Sequence, residues 1–86
     1  MTKKDKLLDR FLSIPADFTW DELIRVLAIF GFEEIGKGKT GGSRRKFKNK
    51  NAVIFSCHKP HPGNIVKKYL IRQLKEELKQ KSLLHE

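Results

Sequence analysis

Residues 18–31, Phe-Thr-Trp-Asp-Glu-Leu-Ile-Arg-Val-Leu-Ala-Ile-Phe-Gly, decide how the chain is read. Thr19 and Glu22 have the spacing of a capping box, in which the hydroxyl accepts from the backbone N–H three residues on and the carboxylate reaches back. Phe18 before the cap and Leu23 after it can close a hydrophobic staple. Leu23, Val26, Leu27 and Phe30 then fall on one stripe at helical period, and Gly31 supplies a stop. The spacing predicts a helix over 20–30 with one buried face.

Upstream, residues 3–13 (KKDKLLDRFLS) put Leu7, Leu8, Phe11 and Leu12 at helical spacing, and Pro15 ends a short helix expected to lie over the core. Downstream of Gly31 the period changes to alternation. Phe32 to Ile35 reads as a first strand, Ser43 to Lys48 as a second and Ala52 to Cys57 as a third. Gly36, Gly38, Gly41 and Gly42 lie in the first link, and Lys48-Asn49-Lys50-Asn51 has turn chemistry. The stretch His58-Lys59-Pro60-His61-Pro62-Gly63-Asn64 separates the third strand from a last helix. That helix is predicted over about 64–80, because Ile65, Tyr69, Ile71, Leu74 and Leu78 recur at helical intervals. The fold class is α+β, α-β-β-β-α with an extra short N-terminal helix: a three-stranded antiparallel sheet packs both main helices on one face and leaves the other open. The chain divides into a short helix and connector (1–17), the domain (18–80) and a tail (81–86).

A chain of 86 residues holds one domain. One cysteine, Cys57, excludes an internal disulfide and a cysteine-rich zinc site. The charged start has no apolar signal region, and no run approaches the ~20 apolar residues of a membrane span, so a cytoplasmic protein with no membrane contact is expected.

Charge says most about partners. The formal net charge is +9, and residues 35–75 carry twelve Lys or Arg and no Asp or Glu. A solubilising surface normally mixes both signs; a stretch this one-sided points to a polyanion. Alternation sorts the side chains that would meet it. With Phe47 inward and Arg45 at the margin, Arg44, Lys46 and Lys48 line the open face. With Val53, Phe55 and Cys57 inward, Ile54, Ser56 and His58 join them. Such a row suits phosphates and gives salt-sensitive binding indifferent to sequence. Phe47 and Phe55 look buried and Tyr69 reads as a packing residue, so platforms for base stacking are scarce. There is no basic recognition helix. Contact with an RNA backbone fits best.

Four pieces then resemble a known family: Thr19-Trp20-Asp21-Glu22-Leu23 opening a helix, Gly31-Phe32 closing it, Gly41-Gly42-Ser43 leading into a strand that ends at Phe47, and His61-Pro62-Gly63-Asn64 before the last helix. In order and spacing, over about residues 18–78, they resemble the HicA toxins of bacterial type II toxin–antitoxin systems. The resemblance implies a fold like the double-stranded-RNA-binding domain, cleavage of mRNA without a metal or other cofactor, and a HicB-type antitoxin partner. It also implies an active-site histidine directly after a Gly-Ser pair. Here the pair is Gly42-Ser43 and the next residue is Arg44.

Cleaving RNA without a metal requires activating the 2′-OH, shielding the phosphate and protonating the leaving oxygen. Histidine can move those protons, whereas arginine stays charged and can only hold the phosphate. His58, expected on the open face, is therefore the candidate acid/base, with Arg44 as its catalytic companion. The candidate RNA contacts are Lys37, Lys39, Ser43, Arg44, Lys46, Lys48, His61, Lys67 and Lys68. His58, His61 and Cys57 without a nearby carboxylate make a poor metal site. Three readings stand: an RNA-cleaving toxin, a non-catalytic RNA-binding module of the same fold, and a protein whose basic face docks an acidic partner.

Overall fold

The computed structural model describes residues 2–35, 44–60 and 63–83. They form helices α1 (Lys3–Leu12), α2 (Trp20–Ile29) and α3 (Lys68–Gln80) and strands β1 (Glu33–Ile35), β2 (Arg44–Lys48) and β3 (Ile54–His58). The strands make one antiparallel sheet in the order β1-β2-β3, so the class is the α+β arrangement the sequence predicts.

The capping box at the head of α2 forms as read. The Glu22 N–H donates to Thr19 Oγ1 at 3.2 Å, and the Thr19 N–H donates to Glu22 Oε1 at 3.0 Å. Phe18 and Leu23 on either side are fully buried. Gly31 ends the helix with φ +84°, a conformation that suits glycine. Glu22 also receives Arg10 of α1, whose Nε donates to Oε2 at 2.7 Å, while Arg10 Nη2 reaches Asp17 Oδ1 at 3.1 Å. The Arg10 hydrogen bond, with help from Thr19, holds the Glu22 carboxyl down to about 2 against the opposing effect of burial. A second capping box, Thr2 with Asp5, starts α1.

Phe47, Phe55 and Cys57 face the helices and are buried with Trp20, Val26, Leu27, Ile71, Leu74 and Leu78 in one core. The Trp20 and Phe47 rings meet at 6.0 Å between centroids. Phe11 of α1 is fully buried in the same core.

Two boundaries differ from the sequence reading by two residues or more. The third strand begins at Ile54 instead of Ala52, because the preceding turn is longer than its Asn-Lys-Asn chemistry suggests. Asn49 Oδ1 accepts from the N–H groups of Asn51 and Val53, both at 3.0 Å, and Ala52 takes φ +64°. The last helix begins at Lys68 instead of about residue 64, because residues 64–66 pair with the approach to α2. Val66 N–H donates to the Phe18 carbonyl at 2.7 Å, Trp20 N–H donates to the Asn64 carbonyl at 2.8 Å, and Thr19 and Ile65 form an isolated bridge. Among the described residues no helix is long and apolar enough to cross a membrane.

Candidate nucleic-acid interface

Strand register sets the open face of the sheet as short rows. Arg44 lies across from His58; Ile35, Lys46 and Ser56 form the next row; Glu33, Lys48 and Ile54 form the third. Ser56 is half-buried and the other residues in these rows are exposed. Directly opposed residues hold their Cβ atoms about 5 Å apart, so Arg44 and His58 can reach one small ligand group together. Arg44 is steadied in this position by donating from Nη2 to Ser56 Oγ at 3.1 Å.

The neighbouring arginine does something else. Arg45 lies at the sheet's margin on the helix side, where its Nε stands 3.4 Å from Glu34 Oε2. Ion pairs also join Arg10 to Asp17 and to Glu22, away from the sheet's open face. By register and exposure, Arg44, Lys46, Lys48 and His58 share the face that alternation assigned to them. Counting charge from residue 35 onward missed Glu33, which sits across from Lys48 and shares strand parity with Ile35. That parity was the available signal. The carboxylate makes the face directional: the Arg44–His58 end is basic, and the Glu33–Ile54 end is mixed.

Lys37, Lys39, Ser43 and His61 lie outside the described residues, as do Gly36, Gly38, Gly41 and Gly42. Lys67 and Lys68 are exposed at the start of α3, apart from the sheet row. Lys67 is that helix's N-cap, and its side chain makes no capping hydrogen bond. Tyr69 does not pack as its helical spacing suggested. It is 63% exposed, because Val66 and Leu70 take the buried positions and leave Ile65 and Tyr69 outside.

Cys57, on the core side, is not poised as a nucleophile. Burial pushes its thiol up to about 11, with the Arg44 charge opposing and Glu34 adding to the rise. Among the described residues no three His, Cys, Asp or Glu side chains gather as a metal site would.

A small helix-and-sheet domain with one covered and one open, cation-lined sheet face is the class these observations define. The family described as the HicA toxin of bacterial toxin–antitoxin matches residues 20–81, and the chain belongs to that family. Membership makes it the toxin component of such a pair, with an antitoxin as its partner. No curated protein and no solved structure matches the chain significantly.

Proposed function

We propose that this chain is a metal-independent endoribonuclease that cleaves mRNA in the cytoplasm and is held in check by a HicB-type antitoxin. The observation that carries this reading is the cross-strand pair Arg44–His58 on the open face, at the strand start where the resemblance expects catalysis. His58 takes the proton from a ribose 2′-OH as its oxygen bonds to phosphorus, and the P–O5′ bond breaks, with the leaving oxygen protonated from His58 or water. Arg44 and Lys46 hold the phosphate oxygens as their negative charge builds. Arg44 cannot replace a histidine as the base, so the proton-transfer role passes to the residue across from it.

A second reading, an RNA-binding module without catalysis, is favoured by one observation: an arginine follows Gly42-Ser43. Incubating the purified protein with a labelled single-stranded mRNA fragment in EDTA separates the two. Cleavage by the wild type, reduced about 10²–10⁴-fold in His58→Ala, is the expected result. RNA that is bound but left intact by well-folded wild-type protein would establish the binding module instead. In cells, expression without the antitoxin should stop growth, and His58→Ala should relieve the arrest.

A further inference from the structure

Packing leaves Tyr69 unexplained. It is the most exposed of the large apolar side chains described, and it stands in the first turn of α3. Residues three and four further along a helix lie on the same side one turn on; here they are Arg72 and Gln73, both exposed. Lys68 directly precedes the ring and lies four residues before Arg72, so a cation flanks the tyrosine in each direction along the helix. The first turn contains no acidic residue. Lysines at a helix start oppose the helix dipole, so helix stability does not account for this grouping.

A flat aromatic face between cations matches one kind of ligand well: an unpaired nucleotide, with its base on the ring and its flanking phosphates on the cations. An apolar protein patch would also use tyrosine and arginine. The acid-free stretch and the lysines at the helix start favour a polyanion. We propose that Tyr69, flanked by Lys68 and Arg72, is a stacking platform for an unpaired base of the RNA substrate. This rests on the RNA reading above and deepens it. The sheet face contacts the backbone, whereas the helix selects single-stranded RNA, because only an unpaired base offers its face.

Tyr69 is the chain's one tyrosine, so its ring resonances report on it alone. The test titrates the protein with a short single-stranded 2′-O-methyl RNA, which cannot be cleaved, and with a ribose-phosphate strand of equal length lacking bases. The RNA should shift the Tyr69 ring protons upfield, and the baseless strand should not. Tyr69→Ala should weaken RNA binding about 5- to 100-fold and leave binding to the baseless strand and the melting temperature unchanged. Tyr69→Phe, which keeps the ring, should bind RNA as the wild type does. If Tyr69→Ala binds RNA normally while Lys46→Ala binds weakly, the platform is refuted and the RNA reading survives. If the wild type binds neither strand, both are refuted. Loss of antitoxin binding in Tyr69→Ala with RNA binding intact would reassign the face to a protein partner.

Discussion

Helices α2 and α3 start in opposite ways. At the start of α2, Thr19 and Glu22 satisfy one another's backbone donors, and Arg10 closes over the carboxylate. At the start of α3, the Lys67 side chain makes no capping hydrogen bond, Lys68 follows it and Tyr69 faces outward. One turn from the other end of α3, Glu77 Oε2 is buried with no hydrogen-bond partner among the described residues. The head of α2 thus has its polar groups satisfied by neighbouring side chains, whereas α3 starts without a side-chain cap and buries one carboxylate oxygen that has no hydrogen-bond partner among the described residues. At the start of α3 a local rule is broken where a ligand is expected to arrive, and the stability lost there is recovered from well-formed elements elsewhere.

Three substitutions would break or sharpen this contrast. Glu22→Ala should do the most, lowering stability by about 1–2 kcal/mol at neutral pH without changing RNA affinity. The Glu22 pKa is depressed to about 2 from an ordinary 4.5, so its contribution is present above about pH 4.5 and disappears as pH falls towards 2. Denaturation curves of the two proteins should therefore converge in acid. Glu77→Leu should act the other way. Burial pushes the Glu77 carboxyl up, with Lys81 partly opposing, so at neutral pH the charged form costs stability. Removing it should gain about 1 kcal/mol, a gain that shrinks as pH falls and the wild-type carboxyl is protonated in place. The smallest stability effect is expected from Lys67→Ser. Residue 67 already has the extended backbone of an N-cap, φ −70° and ψ 147°. The serine should stabilise the protein by about 0.5–1 kcal/mol. The same change should weaken RNA binding and reduce the slope of log affinity against log salt by about 0.7–0.9. A more stable protein with unchanged RNA binding would remove Lys67 from the interface.

What the sequence disclosed depended on whether a signal was local. The Thr19–Glu22 box is contained within four residues, and it formed as read. The alternation in Arg44–Lys48 and Ile54–His58 sets charged against apolar residues at period two, so the faces could be sorted without coordinates. The start of α3 was misplaced because Ile65 and Tyr69 imitate helical spacing, while a pairing with Phe18 and Trp20 some forty-five residues earlier holds Asn64 and Val66 extended. The exposure of Tyr69 follows from that same shift. The Arg10–Glu22 pair joins two helices and was likewise invisible to a period count. The opposition of Arg44 and His58 followed from register; what either residue does to RNA depends on chemistry that patterning does not encode.

The pairing of residues 18–20 with 64–66 also constrains how the protein can be made. As the chain leaves the ribosome, α1 and α2 can form early, but Phe18 and Trp20 lack their backbone partners until Val66 has emerged, and the core is incomplete until α3 docks. Contacts across that much sequence come late in folding. The sheet that carries Arg44 and His58 thus gains its full support only once α3 has been made, so a fragment released before that point would present a basic surface on an unfinished scaffold and be exposed to proteases.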